Sequence, residues 1–100
     1  MFAIKGAVHT LNKCKSKNGG NFYRILLKKE LKKQSLPITY MEFFCFYDRV
    51  NSKFDSSEIA ISDIIELTFY IKGVQRDEQN WTNNLMVTNI TLIKKAVKKA

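Results

Sequence analysis

IIELTFYIKGVQRDEQNWTNNLMVTNITLI, residues 64–93, is the stretch that decides the architecture. In its opening third Ile65, Leu67, Phe69 and Ile71 alternate with Glu66, Thr68, Tyr70 and Lys72. That period of two matches the pleat of a strand and cannot be satisfied by a helix. The closing run LMVTNITLI alternates again, so the stretch reads as two strands joined by the polar connection VQRDEQNWTNN. Arg76, Asp77, Asn80 and the chain's only tryptophan, Trp81, fall in that connection. A large aromatic in a solvent-exposed segment is suited to receive a flat partner. Beside an arginine, in a basic protein, the partner that fits is single-stranded nucleic acid, because any base stacks on a ring and the cation meets phosphate.

The charge supports that expectation. Formal net charge is +8, and it is segregated. Residues 1–29 carry seven Lys or Arg and no acid, and residues 79–100 carry four Lys and no acid; the middle holds nine acids against six bases. Basic ends around a slightly acidic centre attract polyanions through counterion release. The plainer alternative is a lysine-rich, solvated surface. At 100 residues the chain has room for one core, here assigned to residues 1–93, followed by a basic tail at 94–100. Hydrophobic residues make up 45% of it and there is one proline, so a folded globule is expected rather than disorder.

Chemistry of other kinds finds little to stand on. Cys14 and Cys45 are far apart, no CxxC is present and His9 is the only histidine, so no metal site or cofactor is expected. Cys45 lies in an apolar run and reads as a small core residue. The N-terminus lacks the long apolar core of a signal peptide and no run is long enough to span a bilayer, which leads to the expectation of a cytoplasmic protein with no membrane partner. Asp48, Asp55, Glu58 and Asp63 do not have the spacing of a calcium loop. With no phosphate-binding glycine loop and no nucleophile with a sequence-evident base, no enzyme activity is expected.

Along the chain, FAIKGAVHTL reads as a first strand, with Gly6 as the place for a bulge or sharp coil. NKCKSKNGGN follows as a basic loop in which Lys13, Lys15 and Lys17 precede an Asn-Gly-Gly turn; it is either a comb over phosphates or a solvated hairpin end. In NFYRILLKKEL, Tyr23, Ile25 and Leu27 face one way and Phe22, Arg24, Leu26 and Lys28 the other. ITYMEFFCFYDRV is crowded with rings: Met41, Phe43, Cys45 and Tyr47 share one side, and Ile38, Tyr40, Glu42, Phe44 and Phe46 share the other. A strand apolar on both faces is buried twice or lies in an interface, unless Tyr40, Phe44 or Phe46 belongs to a stacking platform. In NSKFDSSEIAISD, Ser56 or Ser57 is placed to cap a short helical turn, with Ile59, Ile61 and Ile64 against the end of the core.

Three strands, a connector with a short helix or loop, then two strands is the element order of the all-β, five-stranded oligonucleotide-binding (OB-fold) Greek-key barrel. The chain resembles OB-fold single-stranded DNA-binding proteins of small bacterial or bacteriophage type. Its C-terminal half is also similar to short bacterial OB-fold proteins in which an aspartate precedes strand four, followed by an apolar alternation, Gly-Arg-Glu-Trp and a final apolar strand. Here those places are taken by Asp63, IELTFYIKG, then Arg76, Glu78 and Trp81 over a longer loop, and LMVTNITLI. FFCFYD matches that family's aromatic ending of strand three. Three departures stand out: Ser62 occupies the place of a glycine usually paired with the aspartate, the Gly-Arg-Glu-Trp block is interrupted, and the chain ends in lysines where many bacterial single-strand binders carry an acidic recruiting tail.

The expected function is sequence-tolerant binding of single-stranded DNA, with RNA as the alternative polymer, in replication, recombination or repair. Lys13, Lys15, Lys17, Arg24, Lys28, Lys72 and Arg76 are the candidates for phosphate contacts, and Phe22, Tyr40, Phe44, Tyr70 and Trp81 for stacking. Surplus apolar strand surface implies a homodimer or higher oligomer. A protein-interaction module without nucleic-acid binding is the competing role, since OB barrels host both.

Overall fold

A computed structural model of the chain describes residues 1–29 and 39–96. Five strands, β1 (Phe2–Lys15), β2 (Asn21–Lys29), β3 (Thr39–Cys45), β4 (Ile64–Gln75) and β5 (Trp81–Lys94), close into a barrel, with one helix, α1 (Asp48–Asp55), between β3 and β4. Their order around the barrel is β1-β2-β3-β5-β4, with β4 returning to β1. This is the five-stranded Greek-key barrel expected from the element order. All pairings are antiparallel except β3 with β5, which are parallel and registered at Phe44 and Met86.

Alternation decides what goes inside. Tyr23, Ile25 and Leu27 of β2, Phe43 and Cys45 of β3, Ile65, Leu67 and Phe69 of β4, and Val87 and Ile90 of β5 form the buried core, with Val8 from β1. Each fully buried aliphatic or aromatic side chain here contributes on the order of 1.5–3 kcal/mol relative to exposure. Both cysteines are free thiols, and burial pushes the Cys45 thiol up from its ordinary value.

Helix α1 plugs the barrel. Val50, Asn51 and Phe54 are buried on one side of it, Asn51 Nδ2 donates to the Cys45 carbonyl at 3.3 Å, and Lys53 Nζ donates to the Ile90 carbonyl at 2.9 Å. The helix therefore precedes the serines that were expected to begin it. Asp48 suits the first turn, where the helix dipole favours an acid, whereas Ser56 stands at the C-cap and Ser57 has a φ of 61°, which stops the helix. Of the three isoleucines that follow, Ile59 alone is buried; Ile61 and Ile64 are exposed.

Two other expectations shift. The irregularity in β1 falls between Val8 and Thr10, not at Gly6. Gly6 answers a close approach instead: a Cβ there would lie 2.8 Å from the Lys28 carbonyl oxygen. The strand also runs on through Lys15, so Lys13 and Lys15 belong to β1, and the turn occupies residues 16–20. At the other end, β5 continues to Lys94, and Lys95 and Ala96 are fastened to Asp63; residues 97–100 of the expected tail lie outside the described residues, as does Ile38. Among the described residues, no helix is long and apolar enough to cross a membrane.

Candidate nucleic-acid interface

The outward faces of β2, β3, β5 and β4 run side by side. Phe22 and Arg24 point out from β2, Glu42 and Phe44 from β3, Asn84 and Met86 from β5, and Tyr70, Lys72 and Val74 from β4, a set fixed by the cross-strand pairs Arg24–Phe44, Phe44–Met86, Tyr70–Met86 and Lys72–Asn84. Because the β4–β5 hairpin extends past the barrel, its outward face forms one wall of a groove whose other wall is the rings of β2 and β3. Two adjoining cavities, about 330 and 220 Å³, occupy this groove. Phe46, Tyr47, Tyr70, Lys72, Met86 and Val87 line the first, and Phe22, Phe44, Phe46, Lys72, Val74, Arg76, Asn84 and Met86 line the second.

Rings dominate the barrel side of the groove. Phe22 and Phe46 lie face to face with centroids 4.7 Å apart and planes 21° from parallel, and Phe22 and Phe44 are 6.4 Å apart. Phe46 remains 46% exposed. Stacking of one ring on another limits exposed apolar area while leaving a flat outer surface for a base. Cations complete the lining: Lys72 and Arg76 stand in the groove, with Arg76 Nε donating to Thr82 Oγ1 at 3.3 Å. Among the described residues no carboxylate lies within ion-pairing distance of either cation. Arg24 stands at the edge, its guanidinium 6.0 Å from the Phe44 ring centroid and its Nη2 2.8 Å from Glu42 Oε2.

Phe22, Phe44, Tyr70, Lys72 and Arg76 therefore meet in the groove, and Arg24 adjoins it. Tyr40 and Lys28 lie opposite one another at the far end of the same outer face, where Tyr40 packs edge-on against His9 with centroids 5.1 Å apart. Lys13, Lys15 and Lys17 are elsewhere. Lys13 pairs with Tyr23 and Lys15 with Asn21, the face opposite to Phe22, and Lys17 is in the turn. Lys13 Nζ and the Tyr23 hydroxyl both donate to Asp55 Oδ1, at 2.9 and 2.7 Å, tying the β1–β2 hairpin to the end of α1. Those two hydrogen bonds hold the Asp55 carboxyl below its ordinary value, while burial, with help from Asp55, pushes the Tyr23 hydroxyl up to about 12. Trp81 is separated too. Opposite Gln75, it shares a face of the hairpin with Ile71, Gly73, Asn83 and Leu85, away from the groove, and is 64% exposed.

Tyr47, Val74, Asn84 and Met86 line the groove without having been singled out from the sequence. For Val74 a signal existed: it follows Tyr70 and Lys72 at the strand period on the polar side of β4, where an apolar residue is out of place. Met86 gave none, because the register shift opposite Thr68 and Phe69 reverses the inward–outward count in β5, and the residue pairings alone reveal it.

No family model matches the chain, and no curated protein matches it in sequence. Solved structures do. Rim1, the mitochondrial single-stranded DNA-binding protein of S. cerevisiae, superposes with a TM-score of 0.78 at 11% identity, covering 96% of this chain and 95% of that one. The N-terminal domain of the PriB protein from Thermoanaerobacter tencongensis, described as dimeric, has a TM-score of 0.66 at 13% identity over 94% and 96% of the two chains. A small single-stranded DNA-binding protein from Streptomyces coelicolor gives 0.60 at 12% identity over 92% and 90%. Near-complete coverage of both partners at such low identity means that it is the barrel, and not a conserved set of side chains, that these proteins share with this chain: an OB fold.

Proposed function

We propose that this chain binds single-stranded nucleic acid, DNA in the first instance, along the groove between the β2–β3 rings and the β4–β5 hairpin. The carrying observation is the convergence of Phe22, Phe44 and Phe46 with Lys72 and Arg76 on one outer face. Bases stack on the rings and phosphates meet the cations, so most of the binding free energy is indifferent to sequence. The similarity in fold to single-stranded DNA-binding proteins supports the reading, which extends to a cytoplasmic role in replication, recombination or repair. The test is binding of a fluorescent oligothymidine across a salt series. Three or four phosphate contacts, at about 0.7 per contact, give a log–log slope of about −2 to −3. An affinity that does not change between low and moderate salt rules the groove out as a polyanion site.

A second reading draws on a different observation. Phe2, Ile71 and Trp81 are exposed large apolar residues, and two of them, Ile71 and Trp81, lie on the hairpin face turned away from the groove. We infer that this surface is covered by another copy of the chain, giving a homodimer or higher oligomer. Light scattering on the purified protein decides it: a monomer at tens of micromolar leaves that face to a different protein and favours the interaction-module role.

A further inference from the structure

One acid lies among the rings of the proposed binding face. On the outer side of β3, Glu42 has Tyr40 two residues before it and Phe44 two residues after it, with half-buried Leu26 opposite on β2. Its Oε2 accepts a hydrogen bond from Arg24 Nη2 at 2.8 Å, and the Arg24 guanidinium lies 6.0 Å from the Phe44 ring centroid. Both side chains are open to solvent over nearly half their surface, so the pair can be approached from the ligand side. A carboxylate in this position repels phosphate. An arriving strand also competes for its one cation, which would leave the acid desolvated and without donors unless the ligand supplies them. The phosphate–deoxyribose backbone has no hydrogen-bond donor that can do so; base edges do.

Resting on the single-strand reading above, we propose that Glu42, together with Arg24, makes the position at Phe44 selective for guanine. Guanine is the base that carries two adjacent N–H donors, N1–H and N2–H, on one edge, and these match the two oxygens of a carboxylate. Its O6 and N7 are the acceptors that a guanidinium fork engages. Thymine offers one N–H between two carbonyl oxygens, which a carboxylate repels. Adenine and cytosine each offer a single amino group to it. A strand stacked on Phe44 thus satisfies both members of the ion pair when the stacked base is guanine, while the remaining rings and cations of the groove accept any sequence.

The test compares three short labelled oligonucleotides by fluorescence anisotropy: all-thymidine, thymidine with isolated guanosines, and the same strand with inosine, which lacks the N2 amino group, in place of guanosine. One bidentate contact corresponds to a preference of about tenfold for the guanosine strand over the thymidine strand. Inosine loses most of that preference, and Glu42→Gln reduces the guanosine-to-thymidine ratio to under about twofold. Equal binding of the guanosine and thymidine strands by the unmodified protein overturns the proposal. So does a preference that survives either inosine or Glu42→Gln, which would place its origin in stacking strength. Failure of the unmodified protein to bind any of the three strands overturns the single-strand reading itself, an outcome distinct from equal binding.

Discussion

Phe44 and Trp81 are both aromatic and both belong to segments that the sequence marks as candidates for stacking, yet the fold sends them to different surfaces. Phe44 lies beside Phe22 and beneath Arg24; Trp81 stands back to back with the groove. Each stacked base is worth about 1–3 kcal/mol, so Phe44→Ala should weaken oligothymidine binding by about tenfold or more, whereas Trp81→Ala should change it by less than about threefold. Anisotropy titrations of the two variants check this, and a larger loss from Trp81→Ala would mean that the strand crosses the hairpin tip. Ser62 offers a second test. Its φ of 78° is left-handed, a conformation that a side chain disfavours and that glycine adopts freely. A glycine at this position would adopt the same conformation without that cost. Ser62→Gly relieves the strain but loosens the unfolded chain, and the net expectation is a gain of roughly 0.5–1 kcal/mol, read as a higher urea midpoint with an unchanged m-value.

At the scale of elements, the Asp63 side chain acts as a clasp between the start of β4 and the end of β5. It is 1% exposed and accepts from Lys95 Nζ at 2.7 Å, the Ala60 amide at 2.9 Å and the Ala96 amide at 2.9 Å. Burial pushes this carboxyl up, but the hydrogen bonds from Lys95, Ala96 and Ala60, with the lysine charge, outweigh burial and hold it below its ordinary value. A depressed folded value means that the stabilisation is complete above the unfolded carboxyl's range and is lost as the pH falls through the folded value. Asp63→Asn leaves buried donors mismatched, which should cost about 1–3 kcal/mol near neutral pH. Thermal melts of the two proteins should therefore converge on acidification, and a gap that stays constant down to acid pH would show that the carboxylate's charge is not what matters. The strands themselves were legible because period-two runs such as Tyr23–Ile25–Leu27 and Ile65–Leu67–Phe69 have one physical solution. The expected helix start, Ser56 or Ser57, lies past the end of the observed helix, Asp48–Asp55. The helix's buried face, Val50, Asn51 and Phe54, includes an asparagine whose burial is decided by the Cys45 carbonyl, a partner that local sequence does not display.

Taken whole, the molecule gathers its groove-lining rings and cations where the sequence showed composition but not direction. Lys13 illustrates the limit. It sits in the acid-free N-terminal third and reads as a phosphate contact, yet it is held by Asp55, a residue 42 positions away in the chain. Lys72, by contrast, was recoverable from alternation alone, since it follows Tyr70 on the same side of β4, and Arg76 stands just past the end of that strand. Contacts between distant segments decide which cations remain available, and those contacts are what a linear reading lacks.

The barrel is also joined unevenly. β4 and β5 are paired along almost their whole length, whereas among the described residues β3 and β5 are registered at the single pair Phe44–Met86. That pair forms part of the groove's floor. The thinnest seam of the wall is thus located under the proposed binding groove, and a strand lying across it would act as a splint, bridging two edges that hold each other weakly. Backbone amides of β3 and of the facing part of β5 should exchange with solvent faster than those of β4 in the free protein and slow markedly when oligonucleotide is bound. Hydrogen exchange with and without ligand measures it. If β3 is already as protected as β4, the wall needs no splint, and occupancy of the groove should leave the exchange pattern of the barrel unaltered.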